Sequence, residues 1–358
     1  MFLTCSDIEF LIIYLVLFSL FVSGLRKKHQ YGGAALLFVM DLPMSQAMKG
    51  IACVMILTSH WGLKRFGGVT DLGYISKVVW SMSAQIALVW FMFFSGYGMS
   101  LKQMEKKDIF NKWKKSCLKV YVPCLFICIV TFILFAFLPD NLSESTRNAL
   151  GVDEDIHILH NLTWNGVGQI LPNLFGHEFW YVECILIFYS MFYLSYWLSL
   201  KYRVDITWFL ALFFVGYFFF ARCFWGVQNA HFYRFCWTFM FGHAVAKRTK
   251  LSWAVFVFFL LTTLVEKGLM NVYLWATVGL LIVSLINNKF EMKGRGILYL
   301  GAISYIFYLS HIRIGYHVLT YLHIDSIIVW TIIATISSAI LYEINKRLIK
   351  RIHYCPIK

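Results

Sequence analysis

The stretch Met44-Ser-Gln-Ala-Met-Lys-Gly-Ile-Ala-Cys-Val-Met-Ile-Leu-Thr-Ser-His-Trp-Gly-Leu63 decides how the chain is read. It is apolar enough for a membrane segment, yet it holds Lys49 and His60. Eleven residues of α-helix climb roughly 16 Å and turn about 1,100°, three turns and a small remainder. Both side chains therefore project from one face, the base nearer one leaflet and the imidazole nearer the other. A cation in lipid is costly unless it faces a polar cavity or a partner, which makes this face a candidate functional site. The plainer reading has Lys49 snorkelling to the headgroups and His60 closing the other end.

Working outward, 60% of the residues are hydrophobic and 19% aromatic, and the mean hydropathy is +0.68. Ordinary soluble domains carry about 45–50% apolar residues, so that class is excluded. Windows of roughly 20 residues give eleven candidate spans. They are 8–25, 44–63, 78–101, 117–138, 178–200, 206–221, 232–246, 251–265, 272–287, 297–318 and 324–345. The expected fold is an all-α integral membrane protein, a single polytopic bundle of about eleven helices. Residues 1–43 form an N-terminal helix with its connection, 44–346 the main transmembrane domain, and 347–358 a basic tail.

Alternate connections hold most of the 32 basic residues. These are Arg26-Lys-Lys28, the lysines between 102 and 119, Lys201 with Arg203, Lys247-Arg248-Thr-Lys250, Lys289 to Arg295, and Lys346 to Lys358. The opposite set has only Lys64, Arg65, Lys77, Arg147, Arg222 and Lys267. The positive-inside rule puts the first set in the cytoplasm, with the N-terminus outside and the C-terminus inside. The net charge of +14 is thus topology facing membrane lipids, with no nucleic-acid partner. The bunching between 102 and 119 also suits an anionic ligand.

The first span does not read as a cleavable signal peptide, since its leader carries Asp7 and Glu9 where a signal is basic. The nine cysteines form no Cys-x-x-Cys and read as small apolar fillers. The long connection from Pro139 to Glu178 carries Asp153-Glu-Asp155, His157 and His160, read as a solvated outer loop rather than a metal site. Asn161-Leu-Thr163 fits a glycosylation acceptor, relevant only in a eukaryotic secretory setting.

Four further stretches carry chemistry. In Trp90 to Met99, Ser95 and Gly96 bring small residues into an aromatic span, where a neighbouring helix or a cofactor can approach closely. Lys115 and Lys119 lie four apart on one helical face, suited to anchoring or to clamping phosphates. His177-Glu-Phe-Trp-Tyr-Val-Glu183 opens a span with Trp180 and carries Glu183 into it, a partner for Lys49, Arg234 or Arg313. Ser304, Tyr308 and His311 form a polar stripe at i, i+4 and i+7, which either serves a site or glues helices together.

Together these stretches resemble the acyltransferase-3 family of membrane-bound acyltransferases, from about Met44 to Lys346. Lys49 and His60 match its Arg-x10-His signature, with Lys for Arg. Phe93-Phe-Ser-Gly96 is similar to a Phe-Phe-x-Leu-Ser-Gly element, one residue shorter. Lys115-Ser-Cys-Leu-Lys119-Val-Tyr-Val-Pro123 is similar to a basic Arg-x-x-Arg element before Tyr/Pro. Trp180-Tyr181, Arg234 through Phe241-Gly242, and Ile303-Ser-Tyr-Ile-Phe-Tyr-Leu-Ser-His311 match the remaining motifs in order. The family shows ten core spans, so the first span here is extra. Lysine at the basic positions keeps charge but loses the bidentate fork.

The resemblance implies transfer of an acyl group, typically acetyl from cytoplasmic acetyl-CoA, to a hydroxyl of an extracytoplasmic or lipid-linked glycan, in the inner membrane of a bacterium. His60 becomes the base or the acyl carrier. Lys49 holds the thioester end of the donor or stabilises the oxyanion. Lys115, Lys119, Ser95 and Gly96 bind the donor, and Glu183, Trp180, Arg234, Ser304, Tyr308 and His311 orient His60 or the acceptor. No metal is implied. Two rival readings stay open: a secondary transporter or flippase using the same buried charges as a path, and a non-catalytic subunit of a glycan-assembly complex.

Overall fold

Each apolar run becomes a helix. The computed structural model describes residues 4–28, 38–65, 73–135, 180–225, 235–264, 270–322 and 326–354. Among these residues there are eleven α-helices: α1 (Cys5–Ser23), α2 (Leu42–Arg65), α3 (Tyr74–Ser100), α4 (Ile109–Phe135), α5 (Trp180–Tyr202), α6 (Ile206–Trp225), α7 (Cys236–Lys247), α8 (Lys250–Leu264), α9 (Met270–Lys289), α10 (Arg295–Leu322) and α11 (Ile327–Tyr354). A short 3-10 turn, Lys106–Asp108, precedes α4.

Their positions follow the apolar windows, and several run further at their basic ends. α4 starts at Ile109 rather than 117, because lysine is a good helix former whatever it does to hydropathy. α11 continues through Tyr354, so most of the expected tail is helix. Pro123 sits inside α4. It removes one ladder hydrogen bond, which neighbouring helices in a membrane bundle make tolerable.

Five helices are long and apolar enough to cross a bilayer by length and composition: Cys5–Ser23, Tyr74–Ser100, Tyr181–Tyr202, Ile206–Cys223 and Ile327–Ile349. α2 and α10, which carry the polar stripes, are not among them. α7 has only 12 residues, about 18 Å of helix against a hydrocarbon core near 30 Å. The protein is an α-helical integral membrane protein. Leu15, Phe18, Trp208, Leu212, Phe219, Leu261, Ile336 and Ile340 are exposed on its flanks, as a lipid-facing surface requires.

The centre is built from α2, α3, α7 and α10, with α2 between α3 and α10 and with α3 also packed on α7 and α9. Glycines set the closest approaches. A Cβ at Gly50 would meet the backbone of Gly301 at 2.8 Å, and one at Gly301 would collide with the Gln46 carbonyl. Gly96 and Gly242 face each other in the same way, a Cβ at Gly96 striking the Phe239 carbonyl. Small residues replace side-chain layers by backbone contact, the packing mode of helices in lipid.

One element lies outside the all-helical expectation. Leu25–Lys27 pairs antiparallel with Phe290–Met292, with Arg26 opposite Glu291. The ribbon ties the end of α1 to the turn between α9 and α10. Lys28 reinforces it, with Nζ 2.6 Å from the Asn287 carbonyl and 3.1 Å from Asp41. The N-terminal helix is therefore woven into the bundle: α1 packs on α3, α10 and α11, and Tyr14 bonds Thr58 of α2 at 3.0 Å.

The acidic leader has a structural task. Asp7 accepts from the Ser76 N–H at 2.8 Å and its hydroxyl at 2.7 Å, capping α3. Glu9 accepts from the Ile327 N–H at 2.9 Å, capping α11. Carboxylates at helix N-termini satisfy orphan N–H groups and complement the dipole. These contacts put the N-termini of α1, α3 and α11 at one end. The ribbon, Lys102 and the start of α4 lie at the other, which gathers the basic clusters together.

Candidate active site

α2 and α10 run parallel. They touch at Gly50 and Gly301, and ten residues further along each helix His60 meets His311. His60 Nδ1 lies 2.8 Å from His311 Nε2, with ring planes 3° apart and centroids 5.1 Å apart. Nitrogens this close at that centroid separation mean that the rings meet edge to edge. On its far side, His311 Nδ1 lies 2.9 Å from the Phe307 carbonyl oxygen.

That chain of contacts assigns the protons. A carbonyl oxygen only accepts, so His311 Nδ1 carries hydrogen and donates it. Neutral His311 then has its lone pair on Nε2, and His60 donates Nδ1–H to it. Neutral His60 keeps its own lone pair on Nε2, the atom a base needs. The pair sits among aromatic rings. Phe307 and Tyr308 lie 5.8 and 6.3 Å from His311, and Trp330 lies 6.4 Å from it. Trp330 in turn packs on Trp61 at 5.2 Å. His311 is fully buried.

Towards the basic end lies a cavity of about 300 Å³. Lys49, Ser95, Lys119, Ser304 and Tyr308 line it, together with Tyr181, Tyr189 and Tyr305. Tyr181 and Tyr308 meet edge to face at 5.3 Å. Tyr308 lines the cavity and also packs on His311, so its ring stands between the cavity and the histidine pair, neither of whose residues lines the cavity. Lys49 Nζ sits 5.9 Å from the centre of the Phe94 ring. The hydroxyls of Ser95 and Ser304 bond back to Phe91 and Gly301 of their own helices, at 2.9 and 2.8 Å.

Five of the residues singled out from the sequence thus share one cavity, and His60 and His311 form the pair above it. The others fall elsewhere. Gly96 packs against α7 and is a helix-contact residue rather than part of a donor pocket. Lys115 is exposed and does not line the cavity. Glu183 is exposed on α5 and forms no ion pair with Lys49. Trp180 opens α5, with its side chain outside the described residues. Arg234, His157, His160 and residues 139–178, expected from the sequence to form an outer loop, also lie outside them.

Lys49 and His60 share a face as the spacing requires, but a helical side chain leans towards the N-terminus, so Lys49 leans away from His60. With roughly 16 Å of rise between them, the two do not act on one atom. Lys102, not picked out individually from the sequence, lies close enough to Lys119 of the cavity lining to feel its charge. Partial burial, with Lys119 and then Lys112 nearby, holds its ammonium below the usual lysine value. Three crowded cations favour a bound polyanion, and they are Lys102, Lys112 and Lys119 rather than Lys115. Of the lining tyrosines only Tyr308 was singled out as a site residue. Tyr181, beside Trp180, and Tyr305 were quoted only within motif matches without a role, and Tyr189 carried no positional signal among so many aromatics.

A histidine pair with its protons placed, beside a cationic, tyrosine-lined cavity within a membrane bundle, has the make-up of a group-transfer site. A family profile described as an acyltransferase domain matches residues 45–342. The chain therefore belongs to the acyltransferase-3 family and is an integral membrane acyltransferase. No curated protein and no solved structure matches it.

Proposed function

We propose that the protein is an O-acyltransferase that moves acetyl from cytoplasmic acetyl-CoA to a hydroxyl of an extracytoplasmic or lipid-linked glycan in a bacterial inner membrane. The observation that carries this reading is the hydrogen-bonded run from Phe307 O through His311 to His60, with its lone pair at His60 Nε2.

His60 Nε2 takes the proton of the acceptor hydroxyl as that oxygen attacks the thioester carbonyl carbon. The resulting imidazolium strengthens its Nδ1–H bond to His311, which becomes charge-assisted. Because Phe307 O holds the other His311 hydrogen and cannot itself take a proton, His311 orients His60 and carries no proton away. When the carbon–sulfur bond breaks, the His60 imidazolium returns the proton to the departing thiolate. The products are an ester and a free thiol.

The donor's phosphates suit Lys102, Lys112 and Lys119 as point charges. Its thin pantetheine arm suits a cavity of about 300 Å³. Lys49 then holds the body of the donor, and the oxyanion role expected for it from the sequence is withdrawn on distance. The acceptor meets His60 from the end where Asp7 and Glu9 lie.

Mass spectrometry of surface glycans from cells with the intact gene, a deletion, or His60→Ala at matched membrane levels tests this. The acetyl mass increment is expected to vanish in the deletion. With His60→Ala the rate should fall by about 10²–10⁴-fold, the range of a general base. Unchanged acylation in the deletion would refute the reading on those glycans and return the carrier hypothesis.

A further inference from the structure

A second concavity lies along the same α4–α5 seam, beyond the catalytic cavity towards the basic end. It encloses about 390 Å³. Ile109, Phe110 and Trp113 form one wall, and Leu194 and Trp197 the other. Phe110 is 66% exposed and Leu194 46% exposed, so the groove opens sideways onto the surface that faces lipid.

Two cations stand at its rim. Lys106 Nζ lies 6.0 Å and Lys201 Nζ 5.1 Å from the centre of the Trp197 ring. Neither meets a carboxylate among the described residues, although Lys107, Lys293 and Lys346 each do. Trp197 thus brings two ammonium groups within 6.0 Å of its ring centre, neither of them paired with a carboxylate among the described residues.

The polar groups of the groove are already engaged. Trp113 Nε1–H donates to Ser190 Oγ at 3.1 Å, Ser190 donates to the Leu186 carbonyl at 2.9 Å, and Tyr193 bonds Ser116 at 2.8 Å. A nucleobase is recognised through hydrogen bonds to its edge, and these walls have committed theirs. An acyl chain asks only for apolar walls, and a lipid phosphate only for nearby cations. Basic pockets between membrane helices at the headgroup level satisfy both demands.

We propose that this groove binds an anionic phospholipid, its phosphate between Lys106 and Lys201 and one acyl chain along Phe110 and Leu194. The site is separate from the transfer chemistry and does not rest on that reading.

The test is native mass spectrometry of the full chain in detergent, titrated with phosphatidylglycerol or with phosphatidylcholine. One retained phosphatidylglycerol adduct is expected, with little retention of phosphatidylcholine. Lys106→Glu or Lys201→Glu should each cut its occupancy by about fivefold or more. Lys114→Glu, an exposed lysine outside the groove, should not change it. Should a variant fold poorly, a phosphatidylglycerol with a photoreactive acyl chain, added to the unaltered protein, should label peptides covering 109–113 and 190–197. Labelling spread evenly over the bundle would overturn the proposal. So would displacement of the adduct by coenzyme A, which would make the groove a nucleotide site, or by inorganic phosphate alone, which would make it a simple anion site.

Discussion

Two buried histidine arrangements, one at each end of the bundle, use the same ring differently. His243 of α7 is clamped between two hydroxyls, Nδ1 at 2.8 Å from Ser100 and Nε2 at 3.0 Å from Thr207. Each hydroxyl both donates and accepts, so either tautomer is satisfied and neither nitrogen is reserved for anything else. In the His60–His311 pair the terminal acceptor is a backbone carbonyl, which cannot donate. That one difference propagates through two rings and directs the lone pair to His60 Nε2. A ring held by hydroxyls is a brace. A ring held through a second ring by a carbonyl has its proton placed, the arrangement the proposed base requires.

The sharpest way to break this comparison is at His311. His311→Ala is expected to lower kcat by about 10–100-fold, less than loss of the base itself, with KM for the donor unchanged. His311→Asn, whose amide oxygen can accept from His60 Nδ1–H, should recover part of the loss. A KM effect alone would mean that His311 shapes the pocket instead of orienting the base.

Smaller effects are expected at the other end of the cavity. Lys49→Met and Lys119→Met each remove a cation lining it, and a hydrogen bond to a charged group contributes about 1.5–3 kcal/mol. Donor KM should rise by about tenfold or more, with kcat little altered, and more steeply at low ionic strength. Lys115→Met, on an exposed lysine off the cavity, should stay within about twofold. Equal losses at 115 and 119 would show that the cluster acts as a diffuse field and not as a placed clamp.

The helices were legible because membrane segments announce themselves by length and hydropathy, and the eleven windows fall on the eleven described helices. The His60–His311 pairing was half legible. The Lys49–His60 spacing fixed one face and the Ser304–Tyr308–His311 stripe another, but only the glycine contacts that set α2 beside α10 bring the imidazoles within bonding range. The ribbon was invisible, since a three-residue strand of Leu25, Arg26 and Lys27 has no period to read and depends on a partner far along the chain. Asp7 and Glu9 stood out by their charge, yet their capping of α3 and α11 depends on helices remote in sequence. Gly96 shows the opposite failure. A small residue permits either ligand or helix to approach, and Phe239 decides for the helix.

The least effect on chemistry is expected where the brace is removed. His243→Phe keeps a ring of similar size but leaves the Ser100 and Thr207 hydroxyls without their partner in a buried site. Each buried group left unsatisfied costs about 1–3 kcal/mol, reduced where a serine or threonine turns back to its own helix carbonyl. Thermal unfolding in detergent should therefore shift down clearly, while acetyl transfer per folded molecule stays within about twofold of the parent, because nothing in the clamp touches the cavity or the His60 ring. Loss of activity at unchanged stability would reverse the assignment, giving the hydroxyl-held histidine a part in the chemistry and removing the proton-placing carbonyl as the feature that separates the two.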